Sequence, residues 1–232
     1  MNLLRAAVVV LCLIPLAASC GSEQPLTYVS LGDSLAVGVG SSDPRERGYA
    51  PVYRRLLEEE TGRDVRLVQL GLSGETSESF LRGADPQLAR AEDVLRGSPG
   101  AVVTLSLGGN DLLRVADGTD AQREAALGRY AENLDRILKG LRGASGPEAR
   151  FSVLALYNPA PGSFTDEWAG RLNETVRDVA ARNGAAVAAA DEAFRGHEAE
   201  YARHARYPWD IHPTDGGHEA LARAFAEVTP ET

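Results

Sequence analysis

The sequence predicts an α/β domain built on a parallel sheet with helices on both faces. Segments that read as strands alternate with segments that read as helices from Leu26 onward. The strands are near-continuous apolar runs, as strands buried on both faces must be. Ser34, Gly74, Asn110 and Asn158 each fall in the loop just after a strand, so right-handed crossovers gather them at one edge of the sheet.

Leu26–Leu31 is an apolar run that stops at Gly32, with Asp33 and Ser34 next. Leu35–Val39 reads as the start of a helix or a glycine-loosened turn, and Gly38–Pro44 as a loop. Tyr49–Thr61 carries Val52, Leu56 and Leu57 at helical spacing and ends at Gly62. Val65–Leu70 is the second strand, broken by Gly71–Thr76, and a helix begins over Thr76–Leu81. Pro86–Leu95 is a helix opened by a proline suited to the first turn. Ala101–Leu107 is the third strand, and Gly108-Gly109-Asn110-Asp111 ends it. The chain continues with a long amphipathic helix over Asp120–Leu141, a strand over Phe151–Tyr157, a helix over Glu167–Arg182, a weak fifth strand over Ala185–Ala190 and a closing helix over Asp215–Glu227.

At 232 residues, with 44% hydrophobic and 25% charged residues, the chain suffices for one large domain with a full core. A net charge of -9 with no basic block disfavours nucleic acid as a partner. The first residues read as a targeting segment. Arg5 is followed by an apolar stretch, Ala6–Leu16, that is too short to span a bilayer. Ala17-Ala18-Ser19-Cys20 resembles a bacterial lipobox, whose cysteine is diacylated and becomes the first residue of the mature protein. Residues 1–19 then form a signal peptide, 20–25 a lipidated tether and 26–232 the folded domain. The chain is expected to be exported and lipid-anchored at the outer face of the cell membrane or in the periplasm. The alternative is an ordinary signal peptide cut near Ser19. Of the 2 cysteines, Cys12 lies in the removed segment, so no intramolecular disulfide forms.

A serine placed where a strand breaks can project its hydroxyl into a cleft at the carboxyl edge of the sheet. Ser34 fits that position, and also that of a helix N-cap. As a nucleophile it needs a base. His197 and His204 flank a charged stretch and read as surface residues, while His218 reads as a surface or capping residue of the closing helix. His212 differs, because Pro213 biases it to extended geometry on a loop before that helix. Acyl transfer also needs donors for a developing oxyanion. The Asn110 amide and the backbone N–H groups of Gly74 and Ser34 can supply them. Taken singly, Asn110-Asp111 could be a helix cap and Gly74 a simple turn.

As an ordered set these blocks resemble the SGNH hydrolases, also called GDSL esterases and lipases. Gly32-Asp33-Ser34-Leu35 matches the block carrying the nucleophile, and Leu72-Ser73-Gly74-Glu75-Thr76-Ser77 the block whose glycine donates to the oxyanion hole. Gly108-Gly109-Asn110-Asp111 matches the block of the second donor, and Asp210-Ile211-His212-Pro213 the block of the base. The resemblance implies a flavodoxin-like three-layer α/β/α sandwich with five parallel strands. It also implies a serine esterase of carboxylic, lysophospholipid or other lipid esters, working through an acyl-enzyme. With no metal motif in the sequence, no metal or cofactor is expected, and the chain is expected to be a monomer. A carbohydrate O-deacetylase and a non-catalytic lipid- or glycan-binding lipoprotein are the alternatives.

The chain departs from the family's D-x-x-H. Trp209 stands three residues before the histidine, and Asp210 only two. In an extended segment Asp210 and His212 share the cleft face, while Trp209 and Ile211 face the core. Asp210 is then the acid that orients His212, with the Trp209 carbonyl as its rival. Leu112, Leu113, Phe164 and Trp168 are expected either to line an acyl pocket or to pack in the core. The metalloenzyme and nucleotide-binding readings fail on spacing. His218-Glu219 and His197-Glu198 each lack a second histidine, and Asp43 stands where a dinucleotide turn needs its third glycine.

Overall fold

The computed structural model describes residues 24–82 and 85–228. The proposed signal peptide, Cys20 and most of the tether lie outside them. Five parallel strands form one sheet in the order β2-β1-β3-β4-β5. They are β1 (Leu26–Gly32), β2 (Val65–Gln69), β3 (Val102–Ser106), β4 (Arg150–Ala155) and β5 (Ala186–Ala189). This is the flavodoxin-like order, and the fold class read from the sequence holds.

Helices α2 (Tyr49–Thr61) and α10 (Asp215–Val228) pack together on one face. On the other, α4 (Gln87–Arg96), α6 (Asp120–Ala144) and α7 (Thr165–Arg182) pack in sequence. β1 and β3 are buried along their whole length, which explains their uninterrupted apolar character. Their polar members are satisfied within the core: the Tyr28 and Thr104 hydroxyls lie 2.9 Å apart, and Ser30 Oγ donates to Tyr49 Oη at 3.2 Å.

The helix starts read at Leu35–Val39 and Thr76–Leu81 are α1 (Ser34–Val37) and α3 (Ser77–Leu81). Further short helices occupy what the sequence presents as loops or strand ends: α5 (Gly109–Leu113), α8 (Ala190–Ala193) and α9 (Glu198–Tyr201), followed by a 3-10 turn at Arg203–Ala205. Of these, α5, α8 and α9 are too short to show apolar periodicity. The strand order reverses between β1 and β3. The loops leaving these two strands carry Ser34 and Asn110, so the site sits at the topological switch point, where open α/β sheets bind ligands.

Candidate active site

Gly32 ends β1 with φ +124°, and a Cβ there would lie 1.9 Å from the Ser106 carbonyl oxygen. Only glycine allows β1 and β3 to run this close while the chain turns away. The next residue, Asp33, is the N-cap: its Oδ1 accepts from Leu35 N–H at 3.0 Å. Burial pushes its carboxyl up to about 7, against the bonds it accepts from Leu35 N–H and Ser106 Oγ. Ser34 is therefore not the cap but the first residue of α1, and its hydroxyl is free for another partner. That partner is His212, whose Nε2 lies 2.9 Å from Ser34 Oγ.

The other imidazole nitrogen, Nδ1, lies 2.8 Å from Asp210 Oδ1. Asp210 is held below the usual carboxylate range: burial raises it, but bonds from Arg203 and His212 outweigh that. An ionised carboxylate only accepts, so Nδ1 carries the proton and Nε2 is left to accept from Ser34. Asp210 Oδ1 also accepts from the backbone N–H of His212 at 3.1 Å. The short D-x-H spacing thus closes as an Asx turn in which one oxygen holds both the backbone N–H and the Nδ1–H of residue i+2.

The expected face alternation is not what achieves this. Asp210 N–H donates to the Tyr207 carbonyl at 2.8 Å, so the chain turns there rather than extending. Trp209 is 81% exposed, and Ile211 lines the cleft; neither faces the core. The His212 loop is fastened from several sides. Tyr157 Oη donates to the Ile211 carbonyl at 2.7 Å, and Arg203 N–H to the His212 carbonyl at 2.9 Å. Gly40, with φ +98°, lies so near that a Cβ would meet Pro213 O at 2.4 Å.

Asn110 lies in α5, which is capped by Gly108 at φ +115° and not by Asn110 or Asp111. Its Nδ2 donates to the Glu75 carbonyl at 2.9 Å, tying β3's loop to the loop that carries Gly74. One amide hydrogen remains available. Asp111 grips that second loop as well, accepting from Ser77 Oγ at 2.6 Å and Ser77 N–H at 3.0 Å. Gly74, at φ +80°, is exposed at the turn, and a Cβ there would meet nothing within 4 Å. The Ser34 N–H, in the first turn of α1, has no intrahelical acceptor.

Ser34, Asn110 and His212 open into one cleft, while Gly74 and Asp210 are outside its lining. The walls are apolar: Leu35, Leu112, Leu113, Leu156, Phe164 and Ile211. Of the four residues left between pocket and core, Leu112, Leu113 and Phe164 line the cleft. Trp168 is buried instead, with the Arg171 guanidinium 4.5 Å from its ring centroid.

His197 is exposed and His204 half-buried, near the surface positions expected. His218 is not on the surface. It is fully buried, with Nδ1 accepting from Tyr49 N–H at 3.2 Å and Nε2 donating to the Val39 carbonyl at 3.0 Å. Burial lowers its pKa to about 4, so it is a neutral strut between α10, α2 and the loop after α1. Sequence reasoning also missed Gln87, whose side chain bonds both the N–H of Gly32 at 2.7 Å and its carbonyl at 3.0 Å, and also reaches Glu75. Nothing in the helix pattern around Gln87 marks it.

The model of the GDSL-like lipase/acylhydrolase family matches residues 30–220. The chain is 30% identical over 207 residues to the spore germination lipase LipC of Bacillus licheniformis, covering 85% of this chain and 93% of that one. Among solved structures, a lipase from a goat rumen metagenome superposes with a TM-score of 0.74 at 26% identity, over 87% of this chain and 96% of its own. The acetylxylan esterase Axe2 of Geobacillus stearothermophilus shares the fold, with a TM-score of 0.66 at 19% identity over 89% and 94%. The chain belongs to the GDSL-like lipase/acylhydrolase family, and its activity class is that of a serine ester hydrolase.

Proposed function

We propose that this serine ester hydrolase works through an acyl-enzyme on Ser34, with His212 as general base and acid and Asp210 as its orienting acid. The observation that carries the assignment is the pair of contacts at the imidazole, 2.9 Å to Ser34 Oγ and 2.8 Å to Asp210 Oδ1. In the first step the Ser34 proton passes to His212 Nε2 as Oγ attacks the ester carbonyl carbon. Asp210 stabilises the imidazolium that results. The carbonyl oxygen, now negative, takes hydrogen bonds from Asn110 Nδ2 and the backbone N–H groups of Gly74 and Ser34. The intermediate collapses and the alkoxide leaves with the proton from His212. Water, activated by the same imidazole, then releases the acid and regenerates Ser34.

Asn110→Ala is expected to lower kcat roughly 10²–10³-fold with little change in KM, because the donor acts on charge that develops in the transition state. Steady-state kinetics on a p-nitrophenyl ester check this. A change confined to KM would make Asn110 a substrate-binding residue.

The apolar cleft favours an acyl group of several carbons over acetyl, since each buried methylene contributes about 0.8 kcal/mol. This is the ground for preferring lipid or other long acyl esters to acetylated sugars. A series of p-nitrophenyl esters tests it: kcat/KM should rise from acetate to medium-chain esters. A maximum at acetate, with turnover of acetylated glycans, would assign the deacetylase reading instead.

Export and lipidation at Cys20 rest on the sequence of residues 5–20, and would hold the enzyme beside membrane esters through two acyl chains. A mature N-terminus that starts elsewhere than at a diacylated Cys20, read by mass spectrometry, excludes this anchoring.

A further inference from the structure

Arg203 precedes Asp210 by seven residues and belongs to no block of the family pattern. Its Nε donates to Asp210 Oδ2 at 2.5 Å, while Oδ1 serves His212. The same guanidinium reaches across with Nη1 to the Gly40 carbonyl at 3.2 Å, in the loop that follows the Ser34 helix. Its backbone N–H donates to the His212 carbonyl at 2.9 Å, and its guanidinium stacks over Tyr207, 5.2 Å from the ring centroid. One residue thus touches the Asp210 side chain, the His212 backbone and the loop leaving α1.

An aspartate two residues before its histidine grips it through one oxygen only. That hook can still swing about its side-chain torsions unless the second oxygen is fixed. We propose that Arg203 is a positioning residue of this enzyme: it pins Asp210 Oδ2, and so fixes the aim and tautomer of His212 towards Ser34. The proposal rests on the assignment of Ser34, His212 and Asp210 as the catalytic set. In the family's longer spacing the acid stands where this chain has Trp209. Arg203 is what makes the shorter spacing workable.

The charge matters as well as the fork. A fixed cation beside the Asp210–His212 couple opposes its protonation. The other groups facing the couple are Tyr157 from the end of β4, Asp33 behind Ser34 and His218 from α10. Burial lifts Tyr157 far above the working range, His218 stays neutral down to about 4, and Asp33 is pushed up to about 7 chiefly by its own burial. Removing the cation should therefore move the acid limb of kcat/KM towards higher pH.

Arg203→Met keeps the length of the stem and loses charge and donors. It is expected to lower kcat roughly 10–100-fold, by analogy with the loss of a partner that orients a metal-bound histidine, and to raise the acid limb by about one pH unit. KM should stay within about twofold, since Arg203 does not line the cleft. Arg203→Lys should restore the position of the acid limb but only part of kcat, because a single ammonium lacks the fork that serves both Asp210 and Gly40. On an Asp210→Asn background, Arg203→Met should cost little more. A loss of kcat with an unmoved acid limb would reduce Arg203 to a structural role and overturn the proposal, as would full activity of Arg203→Met. Activity surviving in Ser34→Ala or His212→Ala would instead overturn the catalytic assignment beneath it.

Discussion

Ser34→Ala is expected to lower kcat about 10⁶-fold, the scale seen when a serine hydrolase loses its nucleophile, while the protein folds as before. The first half follows from the acyl-enzyme: without Oγ no covalent bond can form, and only binding and the oxyanion donors remain. The second half follows from the local structure. Asp33, not Ser34, caps α1, and the Ser34 hydroxyl bonds to His212 rather than to the core. Deleting it opens no buried cavity, because the residue is half-buried at the rim of the cleft. His212→Ala should be about as severe, and the double variant no worse than either, since residues that act as a unit are not additive. Turnover of a chromogenic ester and circular dichroism check the two halves separately. Activity near the native level in Ser34→Ala would remove this serine from the mechanism.

Asp210→Asn is expected to cost about 10⁴-fold in kcat, the loss recorded for the equivalent change in serine proteases. The cause is tautomeric. An amide NH₂ facing Nδ1 obliges that nitrogen to accept, which puts the proton on Nε2, against the Ser34 hydroxyl. The imidazole can then no longer take the serine proton. The change also leaves Arg203 facing a neutral group on a partly exposed rim, where Asp210 and Arg203 side chains are 21% and 35% accessible. Stability should thus change far less than activity. A loss below about tenfold, with His212→Ala still inactive, would mean that another acceptor orients the imidazole.

Most of the architecture was legible because it is written in long-range periodicity. β1 and β3 read as strands since burial on both faces leaves no room for polar alternation. The amphipathic stripes of α2, α6 and α10 show their limits at Gly62, Asp120 and Asp215. Ser34, Asn110 and His212 could be placed at one edge because each follows a break in an element.

What stayed hidden depends on side-chain direction over distances that no local pattern encodes. His218 looks like a surface residue of a helix whose polar and apolar positions interleave, yet its two nitrogens bond backbone groups 169 and 179 residues away in sequence. An extended segment would put Trp209 and Ile211 in the core, but Asp210 folds its carboxylate back onto His212 and the chain turns there. Trp168 falls in the core because α7 aims it at Arg123 and Arg171, 5.8 and 4.5 Å from its ring, and not at the cleft. Arg203 has no motif around it, and its meaning appears only when Asp210 and Gly40 are seen on either side of it.

The central claim is that Ser34 is the nucleophile activated by His212. The most direct measurement is labelling of the native enzyme with a fluorophosphonate, followed by peptide mass spectrometry. A single adduct on Ser34, absent from Ser34→Ala and strongly slowed in His212→Ala, is the predicted result. An adduct on another serine, or none on an enzyme that is turning over esters, would contradict it.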